Sequence, residues 1–332
     1  MTMRSRTGST TAVPNLQSML KISAIICTFK RPDYLRQALQ SVCEQSLPRE
    51  EYEIIVVDNA VDSEIERIVR EFDDGRINLR YLAEERVGLS LARNTGLMAA
   101  VAPYVAYIDD DARAETHWLE ALVDAFTQTS PPPAAVGGRV WLDWQGEKPA
   151  WVPDGQLSLF TFVDHGDDGH SLRKDEYLVG ANVAFEKKAL ALIGGFDPRL
   201  GRQGSVLLSG EEARVIQQLH NQGLAIYYEP GAVVWHSVDP SRRRPTWLLK
   251  RMFWDGASQP LLDHPSEKRS RPSILRSVLS DIRQCFGWCA SALAAAMRGR
   301  RLNAWESLLG LSQRAGRVRT QIRMLAWSPD SR

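Results

Sequence analysis

No run of apolar residues in this chain is long enough to cross a bilayer. The longest weakly polar stretch, QCFGWCASALAAAM at 284–297, ends against Arg283 and Arg298, short of the roughly 18 to 20 residues that a span requires. Cysteine is scarce, with four in 332 residues, which excludes a disulfide framework and fits a reducing compartment, the cytoplasm. Cys27 falls in a predicted strand and Cys43 in a predicted helix. Cys285 and Cys289 stand one helical turn apart with no partnering His or Cys pair, which reads as core and not as a metal site. Residues 1–20 lack an apolar h-region and are rich in Ser and Thr, so they read as a disordered lead-in and not as a signal peptide. No glycine-rich phosphate loop follows the first predicted strand, where the chain reads CTFKRPDYL. A nucleotide would need another device for its phosphates.

Net charge is also small, +1, but unevenly spread. Residues 268–332 carry thirteen Lys and Arg against three acids, a net of +10, which leaves −9 for the rest. A basic tail with apolar residues suits an anionic partner, and membrane lipid is the favoured one. The acidic body argues against nucleic acid as the main ligand.

Hydrophobic periodicity then gives an order of elements. KISAIICTF (21–29) reads as a strand, and RPDYLRQALQSVCEQS (31–46) repeats Leu35, Ala38, Leu39 and Val42 at helical spacing. A strand at 53–59, a helix around 62–72, a strand at 77–82, a helix near 89–101 and a strand at 104–111 come next. This alternation predicts an α/β fold with a mainly parallel sheet flanked by helices. Ligands of such sheets lie at the carboxyl ends of the strands, where Thr28, Asp58 and the triplet Asp109, Asp110 and Asp111 fall. Beyond PPP (131–133) the pattern is more mixed. A strand at 134–144 and a loop around 164–170 come first, then a strand, short helix and Gly turn over 180–197. A helix over 211–223 capped by Gly223 leads to a strand pair or bent strand at 226–237. From Pro240 onward the chain reads as amphipathic helices.

Carboxylates at a strand end can hold a divalent cation, and the cation can neutralise a diphosphate. The plainer alternative is a solvated acidic turn before a helix. Six segments, CTFKRPDYLRQALQSV, EIIVVDN, ERVGLSLARNTGL, VAYIDDDA, GANVAFEKKALALIGGFDPRLG and SGEEARVIQQL, resemble in this order the family-2 nucleotide-sugar glycosyltransferases of the GT-A fold. The likeness covers about residues 21–240 and leaves 241–332 as a basic helical extension.

The resemblance implies an inverting glycosyltransferase that takes its sugar from a nucleotide diphosphate-sugar and needs Mn or Mg. It places Thr28, Phe29 and Arg31 by the nucleotide and makes Asp58 a contact to base or ribose, against the alternative of a helix cap. Arg86 becomes a nucleotide-contacting arginine, with Arg93 and Asn94 in the same crevice. Either arginine could instead form a surface ion pair. Asp109 and Asp111 match the outer acids of the metal motif, with Asp110 between them, and His236 is similar to a histidine that some members place on the metal. Gly180, Ala181 and Asn182 would lie beside the donor sugar, and Gly195, Phe196 and Asp197 near the acceptor. Glu212 is the expected catalytic base and Glu211 the alternate. The family usually has Glu-Asp here, so Glu212 departs from the pattern by one methylene. Both could instead be first-turn glutamates stabilising a helix.

The Arg- and Trp-rich stretch 241–260 resembles family members acting on lipid-linked saccharides, which implies polysaccharide or glycolipid assembly. The helices after it could lie on an anionic bilayer at the inner face of the cell membrane, or pack as a cap or dimer interface. A nucleotidyltransferase lacks support because its Gly-rich basic loop is missing. A non-catalytic saccharide-binding protein of the same fold stays open on sequence alone.

Overall fold

The computed structural model describes residues 20–263 and 270–326, so the expected lead-in, apart from Leu20, lies outside the described residues. β1 (Ile22–Thr28) and β2 (Tyr52–Asp58) are buried at every position except Cys27. Alternate side chains enter two separate cores: Ile22, Ala24, Ile26, Ile54 and Val56 on one face, and Ile25, Ile55 and Val57 on the other. A parallel strand covered on both faces requires this continuous apolar run. α1 (Pro32–Cys43) and α2 (Ser63–Phe72) cover the first face. β3 (Asn78–Ala83) pairs parallel to β2, and α3 (Leu89–Ala99) covers the second face. β4 (Tyr104–Asp109) then lies parallel to β1 on its other side.

β5 (Ala112–Ala114), α4 (Trp118–Gln128), β6 (Ala135–Asp143), β7 (His170–Ser171), β8 (Val183–Glu186), α5 (Lys187–Leu192), α6 (Glu211–Asn221) and β9 (Ile226–Ser237) complete the body. The strand order is β3-β2-β1-β4-β8-β6-β9-β5, with β7 on β9. β8 runs antiparallel between β4 and β6, which makes the sheet mixed, as expected. β9 is one bent strand and not a pair: against β6 its register jumps from Glu229 opposite Gly138 to Val233 opposite Arg139. That irregularity carries its far end back to β5, where His236 pairs with Ala112.

Several expectations need correction. The strand at 104–111 stops at Asp109, and the acidic triplet leads into the short strand β5 and not into a helix. α4 and β5 carried no recognised pattern, and the 164–170 loop ends in β7. α6 ends at Asn221, and Gly223, at φ +73, sits just past its cap. Cys289 is exposed and therefore not a core residue, because it lies on the outward face of its helix.

After a short 3-10 turn (Pro240–Arg243) come α7 (Pro245–Asp263), α8 (Arg271–Met297) and α9 (Arg301–Ala326). α7 and α9 touch backbone to backbone. A Cβ on Gly256 would stand 1.8 Å from the Gln313 carbonyl oxygen, and one on Gly316 would stand 1.7 Å from that of Phe253. Buried Asp281 of α8 accepts from Arg314 at 2.9 Å and Arg317 at 3.1 Å on α9. The extension docks on the body through Val152, Phe160, Val238, Leu248 and Leu309, ringed by Trp144, Trp151, Trp247 and Trp305. No helix among the described residues is long and apolar enough to cross a membrane.

Candidate active site

The carboxyl ends of β1 and β4 deliver the first components. Thr28, the last residue of β1, donates to Asp110 Oδ2 at 2.9 Å. Arg31, just before α1, donates to Asp110 Oδ1 at 3.2 Å and to Asp111 Oδ2 at 2.8 Å. β9 brings His236, whose Nε2 lies 3.2 Å from Asp111 Oδ1. Arg242, from the turn after β9, donates to Asp111 Oδ2 at 2.6 Å. Burial works against ionising Asp111, yet His236, Arg242 and Arg31 outweigh it and hold its carboxyl well below the usual range. Asp110 has less help, and burial together with Asp111 pushes it up to about 6.

One ligand atom each from Asp109, Asp111 and His236 lies within 4.8 Å of the others. Two hard carboxylate oxygens and one imidazole nitrogen suit a divalent cation of the Mn or Mg type. Asp110 and Asp111 now lean on guanidinium groups, which shows that three adjacent acids require cationic company.

Arg93 couples this group to the second one. From the buried face of α3, its Nη2 donates to Asp109 Oδ1 at 3.2 Å and its Nη1 to Glu211 Oε1 at 2.8 Å. Glu211 opens α6 and is 4% exposed. Burial and the neighbouring Glu212 push its carboxyl up to about 7, against the pull of Arg93. Glu212 Oε1 accepts from the Gly180 N–H at 3.3 Å, while Oε2 of both glutamates is buried without a partner. Buried carboxylate oxygens with no donor are costly unless a ligand supplies one.

Of the expected residues, Thr28, Phe29, Arg31, Arg93, Asp109, Asp110, Asp111, Gly180, Ala181, Glu211 and Glu212 line one cavity of about 200 Å³. Others face elsewhere. Asp58 accepts from the backbone N–H groups of Ala60 and Asp62 and from Tyr81 Oη, so it shapes the β2–α2 loop. Its neighbour Asn59 lines the cavity and ties down the Glu84, Arg86 and Gly88 backbone. Arg86 is exposed and forked onto Glu84 at 2.9 and 3.0 Å. Asn94 exchanges two bonds with the Phe196 backbone, fastening the loop of Gly195, Phe196 and Asp197 to α3. Buried Asn182 accepts from Trp118 and donates to the carbonyls of Arg139 and Ala232. Arg202, Arg242 and Arg251 were not singled out by sequence. The RRR run after His236 was the available signal for Arg242, and nothing in the sequence marks Arg202.

This mixed sheet with its acidic strand-end group is a fold of the GT-A type. A mannosyltransferase from Pyrobaculum calidifontis, solved in complex with GDP-Man and Mn2+, shares the fold with a TM-score of 0.62 over 93% of this chain and 89% of that chain, at 18% identity. The profile described as Glycosyl transferase family 2 matches residues 23–167. A glucosyl-dolichyl phosphate glucuronosyltransferase of Haloferax volcanii is 29% identical over 265 residues, 78% of this chain and 83% of its own length. A pre-mycofactocin glycosyltransferase of Mycobacterium tuberculosis is 28% identical over 65% of this chain, which spans only 44% of that protein. Over residues 23–167 the chain is thus similar to the family-2 glycosyltransferases, and the relatives it matches are glycosyltransferases.

Proposed function

We propose that the protein inverts configuration at the anomeric carbon while moving a sugar from a nucleoside diphosphate onto a hydroxyl of a saccharide or lipid-linked saccharide. The observation that carries this reading is that one guanidinium, Arg93, ties a cation-fitting group, Asp109, Asp111 and His236, to a pair of glutamates with unpartnered oxygens. Charge neutralisation for a leaving diphosphate and a proton acceptor for a hydroxyl thus adjoin one cavity. A bound Mn or Mg ion would supply the positive charge that a departing diphosphate needs.

Glu212 takes the acceptor proton as the hydroxyl oxygen bonds to the anomeric carbon, and the bond to the phosphate oxygen breaks on the opposite face with its electrons. Arg93 keeps Glu211 and Asp109 in place. Glu211 is the second candidate for the base, favoured by a carboxyl near 7 and a free Oε2. Its ion pair with Arg93 and its depth favour Glu212. The relative that acts on glucosyl-dolichyl phosphate supports a lipid-linked acceptor.

In the same reading the protein sits peripherally at the cytoplasmic face of a membrane through its helical extension. Leu275, Leu279, Ile282, Phe286, Leu293 and Met297 recur along α8 at spacings that keep one face, and all are exposed, Phe286 at 71% and Met297 at 74%. Such a stripe flanked by arginines suits the interface of an anionic bilayer.

The test is release of nucleoside diphosphate from a panel of nucleotide sugars, with Mn or Mg present or chelated and with lipid-linked acceptors supplied. Wild-type release should depend on metal and fall about 100-fold or more in Asp111→Ala and in Glu212→Ala. Absence of release from every donor would overturn the reading.

A further inference from the structure

A second, smaller cavity of about 140 Å³ adjoins the catalytic one and touches neither the cation-fitting acids nor the two glutamates. Its wall carries four guanidinium groups, Arg31, Arg202, Arg242 and Arg251, beside Asp239 and Trp247. Two of the four are already paired, Arg31 with Asp110 and Asp111, and Arg242 with Asp111. The other two are not. Among the described residues no carboxylate lies within salt-bridge distance of Arg202, and Arg251 donates to the carbonyl of Leu207 at 3.1 Å. The one acid in the wall, Asp239, is occupied by the Ser241 N–H at 2.7 Å and by Tyr34 Oη at 3.0 Å. Burial and the neighbouring Arg242 make it harder for Arg202 to hold its proton, against the more distant pull of Asp111 and Asp109, neither of which it contacts. A half-buried guanidinium beside other guanidiniums and without a carboxylate in contact has donors left for an anion.

Forked donors of this kind match the oxygens of a phosphate. Leu207 and Trp247, the latter in the first turn of α7, add an apolar edge. Phosphate on one side and hydrocarbon on the other is the chemistry of a phosphate ester of an apolar alcohol. In the proposed function the donor's phosphates lie at Asp109, Asp111 and His236, none of which lines this cavity.

We propose that Arg202 and Arg251, with Arg31 and Arg242 behind them, hold the phosphate of an acceptor whose sugar is carried on a phosphorylated lipid alcohol. This rests on the transferase reading and adds the group by which the acceptor is recognised. Arg31, Arg202 and Arg251 also line the larger cavity, so a phosphate held here lies beside the chamber that Glu212 lines.

The test titrates the full-length chain with three probes: citronellyl phosphate as a short phospho-lipid, inorganic phosphate, and UDP or GDP with Mn. Arg202→Gln and Arg251→Gln should each weaken citronellyl phosphate by about tenfold or more, the loss of a charge-assisted bond, and weaken the nucleotide by much less. Nucleotide binding also reports that each variant is folded. Inorganic phosphate should compete only at about tenfold higher concentration or above, because it lacks the chain that meets Trp247. Equal losses for nucleotide and citronellyl phosphate would assign these arginines to the donor and overturn the proposal. It falls equally if citronellyl phosphate binds both variants like wild type, or if inorganic phosphate binds as tightly as the ester. A wild-type chain that binds citronellyl phosphate in this arginine-dependent way but no nucleotide would instead sink the donor reading and leave the phosphate site standing.

Discussion

Arg93 holds Asp109 and Glu211 with opposite ends of one guanidinium, and it can do so because the residue across from it has no side chain. A Cβ on Gly180 would lie 2.1 Å from Arg93 Nη2 and 2.8 Å from Cζ, and Arg93, buried at 2% exposure, has nowhere to retreat. Gly180→Ala should therefore displace the bridge. Nucleotide release should drop about 100-fold or more, with a lower melting temperature from overpacking of about 1–3 kcal/mol. Unchanged release would mean that Arg93 is not needed where it sits. Glu211 gives a pH prediction. Its carboxyl binds a proton more tightly in the folded chain, about 7, than the ordinary 4.5, so the protonated form favours the fold. That contribution is complete below about pH 4.5 and is lost as pH rises through about 7. Over that window the melting temperature of wild type should fall relative to that of Glu211→Gln, and parallel curves would refute the assignment. The acids of this site were legible because Asp109 to Asp111 follow an apolar strand and Glu211 and Glu212 open a helix. Of their arginine partners, Arg31 and Arg93 were expected in the crevice, whereas Arg242 was not, because arginine is common on surfaces and its bond to Asp111 joins positions 131 apart.

Among the elements, the first half of the fold was readable because its central strands β1, β2 and β4 are buried on both faces and its helices on one. Short continuous apolar runs and period-3.6 patterns then alternate without conflict. β5 was invisible because three residues, Ala-Arg-Ala, carry no periodicity and become a strand only when the bent end of β9 arrives beside them. α4 has a strong apolar face, but its start at Trp118 comes after a turn without a capping side chain. The contact of α7 with α9 was equally hidden, since a glycine in a helix reads as a weak spot until the neighbouring backbone is known. Gly316→Val should separate these helices, because even a Cβ there would meet the Phe253 carbonyl at 1.7 Å. The expected result is a loss of stability at or above about 1–3 kcal/mol, measured by chemical denaturation. A valine variant as stable as wild type would show that the helices do not pack so closely.

At the scale of the whole molecule the chain is electrically divided, with an acidic catalytic body and a strongly basic end. The body gathers five of its acids, Asp109, Asp110, Asp111, Glu211 and Glu212, around one cavity. The helical extension places Trp247 and Trp305 against the body and turns the apolar stripe of α8 outward. A stripe of this length on a soluble surface is costly unless something covers it, and arginines at Arg271, Arg276, Arg283, Arg298, Arg300 and Arg301 on and around the same helix favour an anionic cover. Vesicles containing phosphatidylglycerol should therefore bind the protein in flotation assays, less so in high salt. A Leu279→Glu, Phe286→Glu double variant should lose about tenfold or more of that affinity, because two large apolar side chains no longer enter the interface and two negative charges face an anionic surface. Neither residue touches the catalytic cavity, so nucleotide release in detergent-free solution should persist in the variant. If the variant floats like wild type, the stripe does not meet the bilayer. If instead it changes from dimer to monomer in sedimentation without any change in flotation, the stripe is an interface between two copies of the chain.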